Sequence, residues 1–164
     1  IGHLRDHGVP ALVLDTGALW DEGSRATEIE RMVAGASAAL LAGDDAIVQT
    51  PSVPALVNAT RLEGEQRGLS RSQTARRVSE ALSEIVARVM NMTGQNRLVV
   101  AGGETSAAVC GRLGVRGMRI WKEIQPGLPS CVSLTPEPLL LVLKSGSFGD
   151  AAFLEQALDH LRRE

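Results

Sequence analysis

Tyrosine is absent from this sequence of 164 residues, and two Phe and two Trp supply all of its aromatic rings. The core must therefore be packed from Ala, Val, Leu, Ile and Met, and there are no ring platforms on which single-stranded bases could stack. An excess of one charge is also missing. Seventeen basic and 19 acidic residues leave a formal net charge of −2, without the basic face that unspecific nucleic-acid binding needs. Arg71, Arg76 and Arg77 are the residual candidates for such a face, and they read as the solvated side of a helix. Runs of the ~20 apolar residues needed for a membrane span are missing, as is the charged, apolar, small-residue succession of a signal peptide. Cys110 and Cys131 are too far apart for a close metal-binding pair and too few for a disulfide scaffold. These absences argue against nucleic acid and membrane as partners and make the cytoplasm the default location.

What is present suits a single α/β domain. The length allows one ordinary core and is short for two. Many small residues and 17 Gly fit an alternation of strands and helices better than a solenoid or coiled coil. The chain starts at Ile1; Ile1, Leu4 and His7 share a helical face that Gly8 and Pro10 end, as if a helix were entered part way along. A piece of a longer protein is the expected explanation.

Apolar runs at 11–15, 46–50, 98–101 and 139–143 read as strands, and 118–124 and 131–134 as shorter ones. Helical periodicity covers 27–41, with Ile29, Met32, Val33, Ala36 and Leu40 on one side. It covers 72–92, with Ala75, Val78, Leu82, Ile85, Val86 and Val89 as the stripe, and then 107–113 and 150–161. Ser72 is the expected N-cap of the longest helix and Gly94 its terminator. The mixed stretch from Pro51 to Ser70 reads as loops. The expected fold is a three-layer α/β domain with a largely parallel central sheet, whose ligands bind outside the C-terminal strand ends.

Two glycine-rich segments occupy such ends. Gly102-Gly103-Glu104-Thr105-Ser106 follows a strand; its glycines permit a tight turn and close backbone approach, and Thr105 or Ser106 can cap the next helix. Free N–H groups at that helix start suit a phosphate, although Glu104 would repel one unless it meets a cation, a ribose hydroxyl or a backbone N–H. Lys144-Ser145-Gly146-Ser147-Phe148-Gly149 repeats the arrangement with a cation, two hydroxyls and a backbone able to form an anion nest. Neither has the Walker A spacing or the dinucleotide fingerprint. Each alone is equally readable as a plain strand-to-helix turn, but together they point to an anionic ligand, with a nucleotide first among such ligands. Asp15 reads either as a ligand-facing carboxylate or as a turn cap. The Asp44-Asp45 pair reads as a metal site or as a solvated connection.

These two segments resemble those of the C-terminal nucleotide-binding domain of the four-carbon acid sugar kinases. That family carries Gly-Gly-Asp/Glu-Thr-Ser and Lys-Ser-Gly-Asn/Ser-Phe-Gly segments, and a linking region similar to Leu113-Gly114-Val115 and Glu123-Ile124-Gln125-Pro126-Gly127-Leu128-Pro129. The resemblance implies ATP and Mg²⁺ as cofactors and transfer of the γ-phosphoryl group to a hydroxyl of threonate, erythronate or a 3-oxo-tetronate. It also implies an N-terminal acid-sugar-binding domain, absent from this sequence, that supplies the catalytic carboxylate, and a Gly-Ser-containing first strand of the nucleotide-binding domain that this sequence lacks. Gly102, Gly103, Glu104, Thr105 and Ser106 would then contact the nucleotide, and Lys144, Ser145, Gly146, Ser147 and Gly149 would close over it. No catalytic residue or metal ligand is assigned within the chain, and the isolated chain is expected to be inactive. A homo-oligomer is compatible with this reading. The alternatives are a non-catalytic nucleotide- or phosphate-sensing module, and an interaction domain whose glycines serve only turns.

Overall fold

The computed structural model describes residues 9, 11–146, 149–150 and 152–164; the helical face read for Ile1, Leu4 and His7 lies outside them. In chain order the elements are β1 (Ala11–Val13), a 3-10 turn (Thr16–Trp20), α1 (Glu22–Leu41), β2 (Ile47–Gln49), α2 (Pro54–Gln66) and α3 (Arg71–Thr93). They continue with β3 (Arg97–Ala101), α4 (Gly103–Arg112), β4 (Met118–Gln125), β5 (Leu128–Ser133), β6 (Leu140–Lys144) and α5 (Phe153–Arg163). The helix start signals are local. Asp21 caps α1 by accepting from Ser24 N–H, and Ser70, rather than Ser72, caps α3 through a reciprocal box with Gln73. Gly94 ends α3 in the left-handed conformation, as expected.

The layers are those of a three-layer α/β domain, but the expectation of a largely parallel sheet is corrected. β1 and β2 form a parallel pair, while the larger sheet, in the order β3-β6-β5-β4, is mixed. Only β3 and β6 are parallel in it; β5 runs antiparallel to both β6 and β4. The reason is connection length. Pro126 and Gly127 alone separate β4 from β5, and residues 134–139 separate β5 from β6, and links this short can only reverse the chain. Gly127 adopts φ 77° in the hairpin, where Glu123 Oε1 accepts its N–H.

A second correction concerns α2, which lies in the stretch read as loops. Pro54 occupies its first turn, where the missing N–H costs nothing. Its dispersed apolar residues gave little periodicity because it packs by close approach instead. A Cβ on Gly64 would stand 2.1 Å from Thr74 Oγ1 of α3.

The core has two parts. Ile29, Met32, Val33 and Ala36 of α1 meet Ala81, Leu82, Ile85 and Val89 of α3 under β1 and β2. On the far side of the larger sheet, Phe153, Ala157 and Leu161 of α5 pack on Leu128 and Val142. Each large aliphatic side chain buried here contributes roughly 1.5–3 kcal/mol. The buried Glu28 carboxylate links α1 to the end of β1, accepting from Asp15 N–H at 2.7 Å and from Arg31. Hydrogen bonding from Arg31 holds its pKa below 4.5.

Two outcomes follow from this packing. Gly64→Ala overpacks the α2–α3 contact and should lower stability by about 1–3 kcal/mol in denaturant melts. Glu28 ionises at lower pH when folded than when unfolded, so its contribution is complete above its ordinary pKa of 4.5 and is lost as pH falls through the lower folded value. Acid titration of stability should therefore be shallower in Glu28→Gln than in the parent below about pH 5, and the variant should be less stable by about 1.5–3 kcal/mol at neutral pH.

Candidate functional site

The two glycine-rich turns leave adjacent strands at the same end of the sheet. β3 and β6 are parallel and in register from Arg97 with Leu140 to Ala101 with Lys144. The ladder runs one bond further, Gly102 N–H donating to the Lys144 carbonyl at 2.8 Å. A polyphosphate lying over these strand ends would meet both turns at once.

Gly102 is the N-cap of α4, with φ 118° and ψ 127°, a conformation open to glycine and strained for other residues. The expected capping by Thr105 or Ser106 does not occur: no side chain caps α4. Ser106 N–H donates to Gly102 O at 2.8 Å, whereas the N–H groups of Gly103, Glu104 and Thr105 find no partner among the described residues. Those donors and the helix dipole make the start of α4 suited to an anion. Gly102, Gly103 and Glu104 are exposed, and Thr105 and Ser106 half-buried. A Cβ at Gly103 would meet no atom of the described residues within 4 Å, so the space next to it is open. Ser106 Oγ is buried without a hydrogen-bond partner.

In the second turn, Lys144 is half-buried and Ser145, Gly146 and Gly149 are exposed; Ser147 and Phe148 lie outside the described residues. Lys144 Nζ donates to Gly146 O at 3.0 Å, which leaves two of its three protons for another acceptor. Gly146 and Gly149 take φ 66° and 85°. At Gly149 a Cβ would also come within 2.7 Å of Leu128 Cδ1, so Gly149 lies close against β5.

Sequence reasoning missed the clamp that fixes this turn. Gln125, at the end of β4, donates from Nε2 to Asp150 Oδ1 at 2.8 Å and to Gln156 Oε1 at 2.9 Å. Its Oε1 accepts Asp150 N–H at 3.2 Å, and Asp150 Oδ1 also accepts Ala152 N–H at 2.9 Å. The signal available was Asp150 directly after the last glycine, a usual N-terminal position for a helix.

The other candidates lie elsewhere. Asp15 is a turn cap, accepting from Gly17 N–H at 2.9 Å. Asp45 pairs with Arg162 at 2.5 Å. Among the described residues no three His, Cys, Asp or Glu side chains are grouped to hold a metal. The three arginines weighed for nucleic acid have internal partners: Arg71 with Glu65, Arg76 with Glu80, and Arg77 with Leu19 O and the Trp20 ring. Burial pushes the Cys110 and Cys131 thiols up. No helix among the described residues is long and apolar enough to cross a membrane.

Comparison with known proteins identifies the family. The family model described as a nucleotide-binding C-terminal domain matches residues 1–154. Among curated proteins, the chain is 36% identical over 160 residues to a 3-oxo-isoapionate kinase of Paraburkholderia graminis, covering 93% of this chain and 34% of that protein. It is 40% identical over 147 residues to a 3-oxo-tetronate kinase of Pseudomonas fluorescens, covering 87% and 34%. A solved structure from Salmonella typhimurium superposes with a TM-score of 0.78 at 28% identity, over 98% of this chain and 37% of that one. The chain thus spans about a third of the length of these relatives. It belongs to the family of nucleotide-binding C-terminal domains related to the four-carbon acid-sugar kinases.

Proposed function

We propose that this domain binds ATP over the C-terminal ends of β3 and β6 and presents it, in the full-length protein, to a four-carbon acid sugar held by a preceding domain. One observation carries this reading: the two glycine-rich turns are neighbours, joined by the Gly102 to Lys144 bond. Gly103 offers backbone approach without a side chain in the way, and the start of α4 offers three unpartnered N–H groups among the described residues. Lys144 adds a cation on the opposite side, and Ser145 a hydroxyl at the same strand end.

The residues present fit a nucleotide phosphate chain on these grounds, and Glu104, exposed in the first turn of α4, is the acidic group placed to meet its cation. ATP supplies the transferable phosphoryl group, and Mg²⁺ offsets charge on the phosphate oxygens. The chain's own part is to bind and orient the donor. The residues of the two turns include no candidate for activating an acceptor hydroxyl: Glu104 is their one carboxylate, and it sits where phosphate is expected. Acceptor binding and proton removal are therefore assigned to the remaining two thirds of a protein as long as the relatives, whose names point to 3-oxo-tetronate or a similar acid sugar.

Calorimetry with ATP and Mg²⁺ on the full-length protein is the first test. Gly103→Val should weaken binding at least tenfold, about 1.4 kcal/mol. Its melting temperature should change little, because a Cβ there meets no atom of the described residues within 4 Å. Unchanged affinity would remove the α4 start from the site. Gly102→Ala should instead cost about 1–3 kcal/mol of stability through its backbone alone. With ATP and a panel of four-carbon acid sugars, the full-length protein should form a phosphorylated product and residues 1–164 alone should form none. Turnover by the isolated chain contradicts the division of labour, and ATP binding without turnover of any acid sugar by the full-length protein indicates a sensing module instead.

A further inference from the structure

α2 is a helix of 13 residues of which one, Gly64, is buried. Helices shorter than about 12–15 residues are marginal alone in water and depend on packing of one face. The packing of α2 is uneven along its length. Val53, Leu56, Val57, Thr60 and Gly64 fall on one side of it at helical spacing. The trailing part of that stripe is docked: Thr60 Oγ1 meets Thr16 Oγ1 at 2.6 Å, and Gly64 lies against Thr74 of α3. The leading part is bare, with Val53 55%, Leu56 51% and Val57 37% exposed. Charge follows the opposite order. From Ala46 to Thr60 the chain carries no charged residue, whereas Arg61, Glu63, Glu65 and Arg67 belong to the docked half and its end. A helix that holds its apolar turns in solvent and its charged turns on its own domain calls for a second contact. Depletion of charge around exposed aliphatic side chains is the composition of an interface core.

The bare half stands at the rim of the domain where the glycine-rich turns lie. Arg25 pairs with Glu84 and Glu30 with Arg88, so α1 and α3 run the same way. α1 leads into β2 and α3 into β3, so the two strands start at one rim and finish at the other. β1 is parallel to β2 and β6 to β3, and all four therefore finish together. α2 follows β2 at that finishing rim. Thr50 and Ser52, on the link into α2, line one cavity with Ala101 and Thr105 of the first glycine-rich turn and the residue before it.

We infer that the leading half of α2, from Val53 to Ala59, is the docking surface for the domain that holds the acid sugar. The inference rests on the proposed function, which needs an acceptor hydroxyl within about 3–3.5 Å of the terminal phosphate. A domain that carries the acceptor to that distance closes over this rim, and the bare turns of α2 are the apolar surface standing there. Other exposed apolar side chains lie elsewhere. Leu41 and Met92 are at the ends of α1 and α3 on the opposite rim, and Ile120 is on β4, the outer strand of the larger sheet. In relatives about three times as long as this chain, a C-terminal domain leaves the additional length ahead of it, enough for such a partner. The matching patch on that domain is apolar and poor in charge.

Photo-cross-linking in the full-length protein tests this. A benzophenone group introduced by Leu56→benzoylphenylalanine should cross-link to peptides of the preceding domain, identified by mass spectrometry. The same group at Leu41, 70% exposed at the opposite rim, should not. Absence of a cross-link from position 56 overturns the inference, as does an equal yield from both positions. So does a cross-link to residues 1–164 of a second copy, or one confined to the stretch directly ahead of residue 1. Kinetics give a second reading. Leu56→Glu with Val57→Glu changes two exposed side chains, so the domain should stay folded and keep its ATP dissociation constant within about twofold. Its kcat/KM for the acid sugar should fall about tenfold or more, and an unchanged value overturns the inference. ATP binding without the cross-link rejects the α2 contact alone. The cross-link without ATP binding supports the contact and rejects the nucleotide reading.

Discussion

The hydrogen bond from Gly102 N–H to the Lys144 carbonyl carries the parallel β3–β6 ladder one step past the strand ends, and both glycine-rich turns take their positions from it. Were β6 antiparallel to β3, the second turn would leave from the opposite end of the sheet. The mixed sheet is therefore no accident of detail. β4 and β5 form a hairpin, β5 returns antiparallel onto β6, and that return sets β6 parallel to β3. Two reversals restore the direction that the site requires.

The turns themselves are held by different means. The first is fixed by backbone geometry, since Gly102 takes a conformation available to glycine and opens α4 without a side-chain cap. The N–H groups of Gly103, Glu104 and Thr105 find no partner among the described residues. The second is fixed by side chains: Gln125 reaches from β4 to Asp150 and Gln156, and Lys144 folds back on Gly146. For the proposed nucleotide, a donor array and an anchored loop set in place beforehand would reduce the ordering cost of binding a flexible phosphate chain.

Much of this was legible in the sequence. The α1 and α3 stripes were readable because Ile29, Met32 and Val33, and Leu82, Ile85 and Val89, repeat at helical spacing and bury that face. The two glycine-rich segments were visible as breaks after strong strand runs. The sheet direction was not, because the parallel or antiparallel choice is made by connection length and partner, neither of which a strand's own residues encode. α2 was lost for a different reason. Its apolar residues Leu56, Val57 and Leu62 are exposed, and its docking rests on the absence of a side chain at Gly64. The resemblance to acid-sugar kinases added the expected ligand, which residue chemistry alone left at the level of an anion. The Gln125 clamp needed three residues from three elements and so has no local signature.

The scarcity of aromatic rings has an optical consequence. Trp20, at the end of the 3-10 turn, has the guanidinium groups of Arg67 and Arg77 within 6 Å of its ring. Trp121 lies on β4 among Arg119, Lys122 and Glu164, three strand positions from β3. With no tyrosine in the chain, these two indoles dominate its ultraviolet emission. Neither belongs to the glycine-rich turns. A change in their fluorescence on adding a ligand therefore reports movement of the flanks of the domain, while occupancy of the strand ends themselves goes unseen by this light.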